Sequence, residues 1–135
     1  MQINFKVMKI IGFGSDIVNI NRIKKLIKKN NLFKKRVFSI KEIIYCEKKK
    51  NNFSCYAKRF AAKEAFSKAV GTGISRGMSF NEIEVSNNKK GKPSINIKGK
   101  TLVTVKKMLK TKKMNILLTL SDDFPFALAS ILIVK

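Results

Sequence analysis

Apolar positions recur along this chain with two different periods, and each change of period marks a new element. Residues 9–15 carry Ile10, Ile11 and Phe13, broken by Gly12 and Gly14, which predicts a strand with a glycine-interrupted end. Over residues 19–29, Ile20, Ile23, Leu26 and Ile27 fall on one helical face while Lys fills the others. Ser39-x-x-Glu42 is a capping box, in which each side chain serves the other's backbone N–H, so a second helix is expected from about Ile40. The longest helix is expected over residues 52–70, closed by Gly71, which suits a left-handed C-terminal cap. Residues 80–85 and 94–97 read as strands joined through a turn over 87–93, a hairpin. Leu102, Val105, Met108 and Leu109 mark a short amphipathic helix, and 115–120 and 126–134 are apolar strands around a Ser-Asp-Asp-Phe-Pro turn. Helices and hairpins are segregated, so the expected class is α+β.

The 135 residues suffice for one domain with a modest core. No stretch approaches the roughly 18 apolar residues of a membrane span. Residues 1–8 have no signal-peptide apolar region and no small-residue cleavage site, so they read as a short extension, with Met8 an alternative start. The domain is expected over 9–135 and the location is expected to be cytoplasmic. In that compartment Cys46 and Cys55 are expected as reduced thiols, and their spacing matches no zinc motif.

The formal charge of +22 points to a polyanionic partner: nucleic acid, anionic membrane, or an acidic protein or ligand. Much of it is Lys in a chain also rich in Asn and Ile, a pattern that A/T-rich coding produces without selection for charge. The Arg residues (Arg22, Arg36, Arg59 and Arg76) say more, because a planar guanidinium fork suits phosphate better than a point charge. The absence of His excludes Ser-His-Asp and Cys-His catalysis and the usual His-based metal sites. Catalysis must then use carboxylates, Lys or a hard metal held by oxygen. Only eight acidic residues are available: Asp16, Glu42, Glu47, Glu64, Glu82, Glu84, Asp122 and Asp123.

One of them stands on an unexpected face. With Phe60 as origin and about 100° per residue, Phe53 and Ala57 fall within about 60° of it, Glu64 lies near 40° and Lys68 near 80°. A carboxylate and an amine thus share the aromatic side of the helix, with Arg59 and Lys63 on its flank. A charge placed there is costly unless paired or metal-bound. Two readings stay open: an ordinary i,i+4 ion pair worth about 0.2–0.5 kcal/mol, or a site handling phosphate and Mg2+, which takes one or two carboxylates and completes its shell with water and phosphate. Asp16, after Gly12-Phe13-Gly14, is the obvious second carboxylate, although an Asp after a glycine pair also serves as a turn or helix cap.

The run Arg59-Phe60-Ala61-Ala62-Lys63-Glu64-Ala65-Phe66-Ser67-Lys68-Ala69 resembles the signature of the holo-acyl-carrier-protein synthase family, the small single-domain class of 4′-phosphopantetheinyl transferases. Four further segments match in family order: Ile11-Gly12-Phe13-Gly14-Ser15-Asp16-Ile17-Val18, Gly71-Thr72-Gly73-Ile74, Gly91-Lys92-Pro93, and Leu120-Ser121-Asp122-Asp123 with Ala127-x-Ala129. One position departs: the family frequently carries His after that last Ser, and Asp122 stands there. The resemblance implies one long helix packed on antiparallel strands and hairpins, in a homotrimer with sites at subunit boundaries. It implies Mg2+-dependent transfer of phosphopantetheine from coenzyme A to a serine of acyl carrier protein, releasing 3′,5′-ADP, in fatty acid biosynthesis. Asp16 and Glu64 would hold the metal, Glu64 would accept the serine proton, and Lys68 would stabilise or protonate the leaving phosphate. Arg59, Lys63, Lys68, Gly91, Lys92, Pro93, Ser121 and Asp122 would contact the coenzyme.

The basic helix after Asp16, with Arg22, Lys25, Lys28 and Lys29, is the expected docking face for an acidic carrier protein. The rival reading is a small basic RNA-binding protein, which the charge favours, but no RNA-binding motif accompanies it. A peripheral membrane role for the same helix lacks aromatic anchors.

Overall fold

The computed structural model describes residues 7–74 and 77–135, so residues 1–6 of the expected extension, and Arg76, lie outside it. The chain opens with β1 (Ile10–Asn19), followed by α1 (Ile20–Lys29), α2 (Asn31–Val37), α3 (Ile40–Glu47) and the long α4 (Asn52–Val70). A 3-10 turn (Phe80–Glu82) leads into β2 (Ile83–Asn87), β3 (Pro93–Ile97), α5 (Gly99–Met108), β4 (Asn115–Asp123) and β5 (Phe126–Val134). Strands β1, β5 and β4 form an antiparallel sheet in that order, and β2 and β3 form a separate hairpin. The class is α+β, as expected.

Helix α4 lies across the three-stranded sheet at backbone distance. A Cβ on Gly12 would stand 2.6 Å from the Ala69 carbonyl oxygen, and one on Gly14 would collide with that of Ala65. The small residues Ala61, Ala62, Ala65 and Ala69 of α4 are all buried, which is what permits so close an approach. Gly71 closes the helix in the left-handed region with φ 102°, as its position predicted. Ile23 of α1, Phe38, Cys46 of α3 and Ile83 of β2 are buried against the rest of the helix, so α4 is enclosed on almost every side.

Several boundaries depart from expectation. β1 runs four residues past Ser15, because β5 continues the ladder through Asp16↔Ala129, Ile17↔Leu128 and Val18↔Ala127. Asp16 is therefore a mid-strand residue and not a turn. α2 was not anticipated: its seven residues bury only Val37, too little to make a stripe, and Asn30 Oδ1 caps it by accepting from Leu32 N. Phe80–Glu82 is not strand, because Glu82 turns back to accept from the backbone N–H of Lys100 and the Thr101 hydroxyl at the start of α5. The cysteines are also corrected. Cys46 and Cys55 form a disulfide, because the short connection from α3 to α4 brings their Cα atoms within 5.5 Å.

Candidate active site

Alternation along β1 places Asp16 on the same face as Gly12, Gly14 and Val18, the face that α4 covers. Lys68 Nζ donates to Asp16 Oδ1 at 2.8 Å and to the Ser15 carbonyl at 3.1 Å. Glu64 stands one turn before Lys68 on α4 and is half-buried. Burial, and then the neighbouring Asp16 carboxylate, push its carboxyl above the usual carboxylate range, while Lys68 and Arg22 pull against them. The hydrogen bond to Asp16 in turn holds the Lys68 ammonium above the ordinary lysine value. Asp16, Glu64 and Lys68 thus come together between β1 and α4, as two carboxylates and one exposed amine.

A second cluster lines a cleft of about 390 Å³ on another side of α4. Its wall includes Arg59, whose guanidinium is buried, donates from Nη2 to Asn87 Oδ1 at 2.6 Å and lies 4.4 Å over the Tyr45 ring. Arg59 Nε is buried without a hydrogen-bond partner. Asn87 Nδ2 also donates to the Gly91 carbonyl at 3.0 Å, which ties Arg59 to the hairpin turn. Gly91, at φ 88°, and Pro93 form part of the rim. Asp122 accepts from Ser54 Oγ at 2.9 Å and pairs with Lys58 at 3.1 Å. Burial pushes its carboxyl up, but those two partners outweigh burial and hold it below the usual range. Lys92 and Ser121 are exposed and do not line the cleft.

The two clusters do not meet within this chain. Arg59 and Glu64 diverge by about 140° around α4, at about 100° per residue. The N-terminal turns of α4 reach β4 through Asp122, the C-terminal turns reach β1 through Asp16, and β5 lies between those strands.

Lys63 is placed differently from expectation. It is fully buried, and its ammonium donates to Glu42 Oε1 at 2.7 Å, the Phe80 carbonyl at 2.9 Å and the Ile83 carbonyl at 2.5 Å. All three N–H bonds are engaged inside the protein, so none faces a phosphate. Burial lowers the tendency of Lys63 to stay charged, and Glu42 opposes that. Glu42 also accepts from Val85 N at 3.1 Å and Ser39 N at 2.9 Å, so one carboxylate joins α3, α4 and β2. The capping box was legible in the sequence, but nothing local marked Glu42 as the partner of Lys63. Asn87, Ser54 and Lys58 were likewise missed, since their partners are 28, 68 and 64 residues away.

Residues 12–129 match the family model described as the 4′-phosphopantetheinyl transferase superfamily. The chain belongs to that superfamily. It is 47% identical over 128 residues to the holo-[acyl-carrier-protein] synthase of Pelagibacter ubique, covering 95% of this chain and 99% of that relative. It is 44% identical over 132 residues to the synthase of Zymomonas mobilis, with 92% and 96% covered. Among solved structures it resembles a Bacillus anthracis holo-(acyl-carrier-protein) synthase in complex with CoA (3′,5′-ADP). That match has a TM-score of 0.77 and 34% identity, with 96% of this chain and 99% of the other covered. A Helicobacter pylori synthase in complex with coenzyme A matches with TM-score 0.76 and 32% identity, covering 90% and 98%.

Two surfaces of this transferase complete the picture. On α1 the apolar residues Ile20, Ile23 and Ile27 face inward, while Arg22, Lys25, Lys28 and Lys29 are exposed. Arg22 lies 6.0 Å over the Phe60 ring, and Lys28 5.7 Å over Phe53. The sheet face turned away from α4 leaves Phe13, Ile17, Leu117, Phe126 and Leu128 exposed, with the row Ser15, Ser130 and Thr119 between Phe13 and Ile17. Among the described residues, no helix is long and apolar enough to cross a membrane.

Proposed function

We propose that this chain moves the 4′-phosphopantetheine group of coenzyme A onto a serine of apo acyl carrier protein, releasing 3′,5′-ADP, a step of fatty acid biosynthesis. The observation that carries the proposal is the meeting of Asp16, Glu64 and Lys68 between β1 and α4. The residues fit Mg2+. The donors are hard carboxylate oxygens, burial and then the Asp16 carboxylate raise Glu64, and Lys68 already holds a cation against Asp16. When bound there, Mg2+ would supply Lewis-acid polarisation of the coenzyme's pyrophosphate.

The chain's own groups do the rest. Glu64, a carboxylate beside Asp16, takes the proton of the serine hydroxyl as its oxygen bonds to the β-phosphorus. The pyrophosphate P–O bond breaks, and 3′,5′-ADP leaves with the electron pair. Lys68 is within one turn to stabilise that charge. Arg59, whose Nε stands 4.0 Å from Glu42 Oε2, and Asp122 shape the cleft proposed for the coenzyme. Lys63 acts from beneath, as the anchor of α4.

The separation of the two clusters supports a homotrimer in which the cleft of one copy meets the carboxylates of the next. The exposed apolar sheet face gives such copies a surface to bury. We assign the basic side of α1 to docking of the acidic carrier protein, since α1 begins four residues after Asp16 and Arg22 acts on Glu64 electrostatically. Rim charges act mainly on association and salt dependence. Arg22→Glu is therefore expected to raise KM for carrier protein severalfold, to leave KM for coenzyme A nearly unchanged, and to weaken the salt sensitivity of the reaction. Steady-state kinetics with each substrate varied decide it. An equal loss for both substrates sinks the docking assignment.

A further inference from the structure

Lys68 does something in this structure that its place in the proposed chemistry does not require. Its ammonium is anchored to β1 by two oxygens, Asp16 Oδ1 at 2.8 Å and the Ser15 carbonyl at 3.1 Å. Asp16 is only 16% exposed, whereas Lys68 is 55% exposed, so the mobile partner of the pair is the lysine. A Mg2+ ion takes carboxylate oxygens at about 2.0–2.1 Å. An ammonium 2.8 Å from the same oxygen would stand beside a dication with no screening group between them. The two cations compete for Asp16.

We propose that Lys68 is a displaceable stand-in for the divalent ion, and that occupation of Asp16 by the ion releases the ammonium toward the substrate phosphate. This deepens the reading of Asp16 and Glu64 as metal ligands and rests on it. The exchange is easy, because an exposed ion pair is weak and lysine's ammonium sits on a flexible four-carbon stem. While the ion is absent, Lys68 offsets the repulsion between Asp16 and Glu64. Once it arrives, the freed ammonium remains one turn from Glu64 on α4 and can reach an anionic group bound there. Lys68 becomes available for chemistry only when the metal is in place.

The test is Mn2+ binding to the protein without coenzyme, followed by electron paramagnetic resonance, in wild type, Lys68→Met and Arg22→Met. Arg22 is the control: it acts electrostatically on Glu64, yet it holds no oxygen of Asp16. Lys68→Met is expected to lower the Kd for Mn2+ about threefold or more, the scale of one exposed ion pair removed, while its turnover falls. Arg22→Met is expected to change the Kd by less than half as much. An unchanged or weaker affinity in Lys68→Met overturns the proposal. Equal tightening in both variants also overturns it, since the effect would then be the general field and not competition for one oxygen. Absence of saturable Mn2+ binding in all three proteins overturns the metal reading itself, an outcome distinct from binding with unaltered affinity.

Discussion

Asp16→Ala and Glu64→Ala are each expected to reduce transfer of phosphopantetheine to background while leaving the fold in place. Asp16 sits in the middle of a paired strand, and its backbone ladder with Ala129 does not depend on the side chain. Glu64 is half-buried and, among the described residues, makes no side-chain hydrogen bond that holds elements together; its neighbours act on it through charge. Removing either carboxylate takes away one of the two side chains proposed to hold Mg2+, and Glu64→Ala also removes the group assigned to the serine proton. Loss on this route falls on kcat, because the missing interaction belongs to the transition state. Circular dichroism and light scattering should match wild type, which is expected to run as a trimer. Near-wild-type turnover in either variant breaks the metal assignment. A wild-type protein that is monomeric and fully active breaks the trimer.

A different kind of loss is expected from Lys63→Met. Glu42 and Lys63 are both completely buried, 2.7 Å apart, and Glu42 also receives Val85 N and Ser39 N. Taking away the ammonium leaves the buried carboxylate with two backbone N–H donors and the Arg59 Nε at 4.0 Å, without the close counter-charge that Lys63 supplies. Breaking a buried pair from one side costs about 3–5 kcal/mol. That is a large share of the roughly 5–15 kcal/mol that holds a domain together, so urea unfolding should show a sharply lowered midpoint. Lys63→Met combined with Glu42→Gln should recover part of the loss, because the neutral amide still accepts a backbone N–H and no longer carries an orphaned charge. If Lys63→Met is as stable as wild type but fails to bind coenzyme A, Lys63 is a ligand contact and not an anchor.

These variants also mark where the sequence was informative. Glu64 and Lys68 could be nominated from helical spacing, because in the sequence both fall in the sector of Phe53, Ala57 and Phe60; in the fold that sector is not an apolar face, and the two are among the less buried positions of α4. Asp16 could be nominated from its glycine pair, but its mid-strand position depends on register with β5, more than a hundred residues away. Lys63 could not be read correctly. Beside Glu64 it looked like a second cation of one site, and only the folding of α3 and β2 over that flank turns it inward. The same holds for the disulfide, since a Cys-x8-Cys spacing on two predicted helices says nothing of the turn between them. The even burial of α4 was hidden too. Alanine and serine give no strong stripe, yet their small size is what lets β1 lie against the helix backbone. The charge of +22 was visible from composition, but only the exposed side of α1 beside Asp16 gives part of it a place to act.

The most direct test of the central claim is to incubate the purified protein with apo acyl carrier protein, coenzyme A and Mg2+, and to weigh the carrier protein by mass spectrometry. The account predicts a carrier protein heavier by one phosphopantetheine group, attached at serine, formed only when Mg2+ is present and accompanied by an equal amount of 3′,5′-ADP. A carrier protein of unchanged mass after prolonged incubation with folded enzyme would contradict it.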